Sequence, residues 1–444
     1  KDIVMKTSSR CNGGEFDNFD ILKKISKLRH ERANLLGFET HADLTLDRRM
    51  AKTKQTVYQF VDELLTPSYK KAKEELVEIS TYANEIDSIG ELKSYDMSYY
   101  REKYKQSKFN FNEEELRPYF KAENVVEGAF KVANKLYGLN FTLLDDIQIF
   151  HEEVKVYKVS DSTDNYVGLL YQDLHPRATK RGGAWMNQLR AKGLYNGHNQ
   201  EPHVTMNCNL TRSTEGKPAL LSISEVRTIF HEFGHCLHGL LTDVKYKTLG
   251  AMGVYWDFVE LPSQILENWL KEPEVLNIFA KHYETGEVIP KEYIDKINES
   301  KKFMLGMFSL RQLHLCKIDM SWHDGAKNPE SIEDYENELL MDCTVIKKEP
   351  GTVVSTAFSH IFSGGYSSGY YSYKWAELLE ADAYEKFEKE GIFNKSTATS
   401  FKENILSKGN TDHPMNLFKN FMGREPKIDA LLRKGGLIKE EELV

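Results

Sequence analysis

The stretch His231-Glu232-Phe233-Gly234-His235 constrains this chain more than any other feature, because its chemistry works only on a helix. Ser222-Ile223-Ser224-Glu225 runs ahead of it, with serine and glutamate at the spacing of a capping box. Val226, Ile229, Phe230, Phe233, Leu237 and Leu240 then recur at helical spacing. On such a helix His231 and His235 stand one turn apart on one face. Two imidazoles so placed can hold one zinc ion, each nitrogen about 2.0–2.1 Å from it. Glu232 is adjacent to the first histidine and can lean toward a water on that ion, as a zinc hydrolase requires. The alternative is two ordinary histidines on a half-buried helix, and the capping box and periodicity weigh against it.

A catalytic zinc site needs a third protein ligand and leaves the fourth position to water. His238 follows closely but falls on another face of the helix. Asp257-Phe258-Val259-Glu260-Leu261-Pro262-Ser263-Gln264 supplies acids instead. Glu260 lies 25 residues after His235, enough for a loop and a return helix. Asp257 and Glu267 fall on nearby turns, and either can orient a ligand histidine by accepting its second N–H. For each acid the competing reading is a solvated helix carboxylate.

A second constellation follows His360. Tyr366, Tyr370 and Tyr373 sit at i, i+4 and i+7, so one helical face is expected to show three phenols. Gly364, Gly365 and Gly369 would let a substrate backbone come close. A neutral tyrosine hydroxyl donates a hydrogen bond and can steady a developing oxyanion. An aromatic core stripe is the alternative, against which the small Ser and Gly neighbours argue.

The rest of the chain sets these motifs in a mainly helical body. Thr56 to about Ile86 carries apolar residues at three- and four-residue spacings and is broken by Ser88-Ile89-Gly90. Leu22–Leu36 is a shorter amphipathic helix closed by Gly37. Between about Ile147 and Leu210 the texture turns β-like. Val154, Val156 and Val159 form one strand, Asp161–Asn165 a turn, Tyr166–Tyr171 a partner, and Pro202–Leu210 another. A small β-sheet beside the helical body is expected. In Arg177-Ala178-Thr179-Lys180-Arg181-Gly182-Gly183-Ala184-Trp185 the two glycines make either a tight turn or a close-approach wall of a binding site.

With 59 basic and 67 acidic residues among 444, the net charge is −8, which argues against nucleic acid as a partner. No apolar run reaches the length of about 18 that a membrane span needs. The five cysteines include no CxxC pair, so reduced and mostly buried thiols are expected, favouring the cytoplasm. The chain begins Lys1-Asp2-Ile3-Val4-Met5, neither a signal peptide nor an initiator methionine. A processed or shortened product is therefore expected, with a periplasmic home open if a signal peptide was removed.

Taken together, His231–His235, Asp257–Gln264 and the glycine-tyrosine run after His360 resemble the thimet oligopeptidase family of zinc metallopeptidases. Lys180–Trp185 and Phe421-Met422-Gly423-Arg424-Glu425-Pro426 fit the same family. His175-Pro176-Arg177 and Asn268-Trp269 look most like its bacterial peptidyl-dipeptidase (dipeptidyl carboxypeptidase) branch. The resemblance implies a mainly helical, two-lobed shell with one zinc ion at the floor of a deep channel that admits short peptides. It implies His231, His235 and Glu260 as ligands and Glu232 as general base. Tyr366 and Tyr373 match the substrate and oxyanion tyrosines, and His360 a histidine beside the substrate, with Tyr370, Gly364 and Gly365 in the substrate-binding run. It further implies a helical lobe segment over 1–140, lacking the N-terminal part of the family lobe, and a zinc catalytic region over 141–444. This chain reads Gly250-Ala251-Met252-Gly253 where the family often has Gly-Thr. The expected activity is release of C-terminal dipeptides by a monomer, the alternatives being an endo-acting oligopeptidase and an inactive peptide-binding fragment. Holding a free carboxylate needs a donor, for which Arg177, Lys180 and Arg181 are candidates, surface charge being the other reading.

Overall fold

The computed structural model describes residues 1–109 and 112–438. These residues are mostly helical, with a small mixed sheet, and gather into two compact units. The first takes its described residues from 1–111, 299–375 and 431–444, and the second from 112–298 and 376–430.

The first unit is built on the 34-residue helix Lys54–Asp87, which buries Val57, Phe60, Val61 and Leu64. The Thr53 side chain caps its start, and Ser88, with φ +55°, ends it where the sequence predicts the break. Helix Leu305–His323 runs against it. Glu75 accepts from Gly306 N (3.0 Å) and Met307 N (2.8 Å), satisfying first-turn amides that have no partner within their own helix. A Cβ on Gly306 would lie 2.6 Å from Lys71 Cγ and 2.8 Å from Ala72 N, so only glycine allows this approach. The shorter amphipathic segment is helix Phe19–Leu35. Gly37 N donates to Asn34 O and Phe38 N to Ala33 O, the Schellman closure expected of a glycine there.

The second unit holds the sheet. Its strands are β1 (Asn140–Leu144), β2 (Lys155–Ser160), β3 (Tyr166–Asp173), β4 (Trp185–Arg190) and β7 (His203–Asn207); β5 (Gly193–Tyr195) and β6 (His198–Gln200) form a separate ribbon. The order is β1-β2-β3-β7-β4, with β3 and β7 parallel and the other pairs antiparallel. Asp161 closes the β2–β3 turn by accepting from Thr163 N (2.8 Å) and Asn165 N (2.9 Å).

Helix Ile223–Leu241 lies directly on this sheet. A Cβ on Gly239 would be 2.6 Å from Met186 Cε and 2.9 Å from Val204 Cγ1. On its other side the chain returns through the short helices Trp256–Val259 and Leu261–Glu267. A Cβ on Gly234 would stand 2.3 Å from Pro262 O and 2.6 Å from Ser263 Cα. The two backbones meet at that glycine, inside the histidine motif itself. Around the contact Phe230, Phe233, Phe258 and Leu261 are fully buried. All five cysteines are free thiols and four are buried, as their scatter implies. Among the described residues no helix is long and apolar enough to cross a membrane.

Candidate metal centre

The motif helix starts as its capping box predicts: Ser222 Oγ accepts from Glu225 N (3.2 Å) and Glu225 Oε2 from Ser222 N (2.8 Å). One turn apart, His231 and His235 present rings whose centroids are 5.0 Å apart and nearly perpendicular. The return segment sets Glu260 between them. Its Oε2 lies 3.2 Å from His231 Nε2 and 3.3 Å from His235 Nε2. Ser263 Oγ donates to the same oxygen (3.0 Å) and to the Glu260 carbonyl (2.9 Å), holding the buried carboxylate in place.

These three residues bring their ligand-type atoms within 4.8 Å of one another. The spacing suits zinc. A tetrahedral ion with bonds of about 2.05 Å separates its ligand atoms by about 3.3 Å. The two histidine–glutamate distances match that edge. Of the two acids expected to orient a ligand histidine, Glu267 reaches one: His231 Nδ1 donates to its Oε1 at 2.7 Å. With the proton on Nδ1, Nε2 faces Glu260 as a metal ligand should. Asp257 is fully buried one turn before Glu260.

The electrostatics favour a cation here. Burial would lower the proton affinity of His231, but Glu260 and Glu267 outweigh it and lift its pKa to about 10. Burial alone would raise Glu260, yet the two histidines hold it well below the usual carboxylate range. Glu232 differs: burial pushes its carboxyl up, against the opposing pull of both histidines. Its Oε2 is buried with no hydrogen-bond partner among the described residues. A buried carboxylate oxygen left over beside a ligand pair is what a proton acceptor for a reacting water requires. His238 points elsewhere as expected, and burial lowers its pKa to about 3.

The glycine-tyrosine run belongs to the first unit. The expectation of one helical face carrying Tyr366, Tyr370 and Tyr373 is not met. Residues 363–371 form turns, and the helix begins only at Ser372. Glycines at 364, 365 and 369 make a helix costly there, and Ser368 turns to φ +51°. The rings gather all the same. Tyr366 stacks on Tyr373 at 4.9 Å, Tyr370 meets Tyr373 edge-on at 5.3 Å, and His360 lies about 6 Å from both Tyr366 (6.1 Å) and Tyr370 (5.9 Å). His360 rides on the short helix Ser359–Phe362. Tyr370 Oη donates to Gln312 Oε1 (3.2 Å), while Gly364 and Gly365 are exposed.

The basic cluster at 177–181 divides. Lys180 is not surface charge: its side chain is 2% exposed, and its Nζ lies 2.8 Å from the buried Asp173, which also pairs with Arg177 at 2.8 Å. Lys180 donates further to the carbonyls of Asp173 and His175. Arg181 is exposed. Gly182 and Gly183 form the tight turn, pinned by Asn209 Nδ2 donating to Arg181 O and Gly183 O. Sequence reasoning did not find Asp319, His323 and Arg29, which hold the tyrosine run. Their one trace is an acid four residues before a histidine, Asp319 and His323, at helical spacing.

A helix-borne histidine pair and a glutamate returned to it across a glycine contact form a donor set that could hold a metal ion, with a second carboxylate beside them, on a mainly helical scaffold. The chain belongs to peptidase family M3, whose model matches residues 1–437. It is similar to oligopeptidase A of Escherichia coli, at 42% identity over 438 residues that cover 96% of this chain and 63% of that protein. It is also similar to dipeptidyl carboxypeptidase of Escherichia coli, at 34% identity, covering 95% of this chain and 62% of that protein. This chain thus spans less than two thirds of the length of these relatives. Among solved structures, a carboxypeptidase of Pyrococcus furiosus shares the fold with a TM-score of 0.56 at 14% identity, over 98% of this chain and 78% of that one.

Proposed function

We propose that this chain hydrolyses short peptides at one zinc ion held by His231, His235 and Glu260. The observation that carries the proposal is the spacing of those three ligand atoms, with Glu232 buried beside them. Zinc, when bound, supplies Lewis acidity that activates water near neutral pH and polarises a carbonyl. Glu232 takes the proton of the attacking water and returns it to the leaving amine; burial, by raising its proton affinity, suits it to both transfers. Glu267 keeps the proton of His231 on Nδ1 and so holds the imidazole as a ligand. Family resemblance extends the reading to Tyr366 and Tyr373 as donors to the developing oxyanion, with His360 and Tyr370 against the substrate.

Cleavage of oligopeptides is the favoured mode, supported by the 42% identity to oligopeptidase A. Release of C-terminal dipeptides is the second reading, supported by the 34% identity to dipeptidyl carboxypeptidase. Against it, Lys180 and Arg177, two of the cations suited to a free C-terminal carboxylate, are committed to Asp173. The buried free thiols fit a reducing compartment such as the cytoplasm.

The test is incubation of the zinc-loaded protein with an N-terminally blocked pentapeptide, with and without chelator, and product identification by mass. Internal cuts that survive C-terminal amidation support the oligopeptidase; dipeptide release that amidation stops supports the second reading. Glu232→Gln is expected to keep its zinc and lose about 10²–10⁴ in rate. Full activity in that variant would remove Glu232 from the mechanism. Peptide binding with no cleavage by the zinc-loaded protein would leave a peptide-binding fragment.

A further inference from the structure

The run from His360 to Tyr373 is rich in glycine and partly exposed, yet charged side chains bracket it at both ends, a half-buried arginine on one and a fully buried aspartate on the other. On its leading side Arg29, from helix Phe19–Leu35, donates from Nη1 to Ile361 O (2.7 Å) and from Nη2 to Phe362 O (3.2 Å). On its trailing side Asp319, fully buried on helix Leu305–His323, accepts from three consecutive amides. Ser368 N donates to its Oδ1, and Gly369 N and Tyr370 N to its Oδ2, each at 2.8 Å. Three successive amides converging on one anion form a nest. Here the anion is the chain's own carboxylate, and it holds Ser368 in the left-handed region that side chains rarely adopt.

His323 links the two ends. Its Nδ1 lies 2.9 Å from Asp319 Oδ1 and its Nε2 2.6 Å from Arg29 Nη1. Arg29 can only donate, so Nε2 accepts and Nδ1–H donates to Asp319. A cation on the carbonyl side of the run and an anion on its amide side thus form one connected network. His41 adds a side contact, with Nε2 3.0 Å from Ser367 Oγ.

We infer that Asp319, working through His323 and Arg29, is the positioning residue that presents Tyr366, Tyr370 and Tyr373 to the substrate. The inference rests on the proposed role of those tyrosines. A run with three glycines in six residues (364–369) has much conformational freedom, and untethered it would have to order itself at each encounter. The tether removes that ordering step before substrate arrives. A carboxylate has enough lone pairs for three amides and an imidazole. An amide of the same shape has one acceptor oxygen and turns an NH₂ toward backbone N–H groups. Asp319→Asn therefore opens the run while removing almost no volume.

The experiment is a double-mutant cycle on the zinc-loaded protein, measuring kcat and KM for a cleaved pentapeptide. It compares the parent, Asp319→Asn, Tyr366→Phe with Tyr373→Phe, and all three together. Asp319→Asn is expected to lower kcat/KM by about 10–100-fold at unchanged zinc content, but by less than about threefold once the tyrosine hydroxyls are gone. An equal proportional loss in both backgrounds would overturn the inference, since a merely structural role does not depend on those hydroxyls. Hydrogen exchange on the parent keeps the test open should the variant not fold. Amides 368–370 are expected to be protected well beyond that of the exposed Gly365, and exchange as fast as that of Gly365 would show that no tether exists. Full activity of the tyrosine double variant would overturn the reading beneath the inference, and the exchange data would then still separate the tether from the tyrosines.

Discussion

Glu267 is the most informative residue to perturb, because it touches a ligand without being one. His231 Nδ1 donates to Glu267 Oε1 at 2.7 Å, and the opposite nitrogen of the same ring faces Glu260. Replacing Glu267 with Ala removes the acceptor that fixes both the tautomer and the ring's orientation. Partners of this kind typically contribute about 10–100-fold to metal affinity, or about 1.4–2.7 kcal/mol. The Glu267 side chain is 24% exposed, so water can replace part of the bond and the lower half of that range, about 10–30-fold, is expected. Glu267→Gln keeps an acceptor oxygen and loses the charge, so its loss should be smaller. Competition for zinc against a chromophoric chelator, at fixed pH and salt, measures the difference directly. Zinc affinity of Glu267→Ala within twofold of the parent would refute the argument that this hydrogen bond prepares His231 for the metal.

Gly234→Ala places a Cβ 2.3 Å from Pro262 O, a backbone atom that cannot swing aside. The return segment must shift and carry Glu260 with it, for an expected loss of about 1–3 kcal/mol together with weaker zinc binding; a parental Tm and parental zinc affinity would count against this. Lys180→Met strips one of two cations from the buried Asp173, and a loss of about 2–3 kcal/mol is expected, below the figure for a fully broken buried pair because Arg177 remains. A selective rise in KM for peptides with free C-termini, without loss of stability, would instead make Lys180 a carboxylate anchor. Burial pushes the Asp173 carboxyl up, but Arg177 and Lys180 prevail and hold it below the usual range. Its stabilising effect is therefore full above the unfolded pKa of about 3.9 and lost as pH falls through the lower folded value. Asp173→Asn should flatten the acid limb of a Tm-against-pH profile, and an unchanged limb would refute the assignment.

Much of this protein is legible locally. The capping box at Ser222, the break at Ser88, the Gly37 closure and the Asp161 turn each depend on residues within a few positions of one another, and each appears where the sequence places it. The histidine pair is of the same kind, since helical geometry alone sets His231 beside His235. Strand β4 is not legible in the sequence, because Trp185–Arg190, lying at the sheet edge, carries polar residues and little alternation. The three tyrosines sit at helical spacing, but turns bring them together, because the helix starts only at Ser372.

What needed the tertiary structure is the pairing of distant charges. The sequence leaves open which histidine an acid of this segment serves, and only the path of the return segment sets Glu267 on His231. It shows Lys180 as one more cation, and only the loop's fold buries it on Asp173. Asp319 meets amides 49–51 positions away, and residues 299–375 rejoin a unit begun by the first hundred or so. Propensity and periodicity act over a turn or two of chain, whereas the partner of a buried charge is whatever the completed packing brings within about 3 Å.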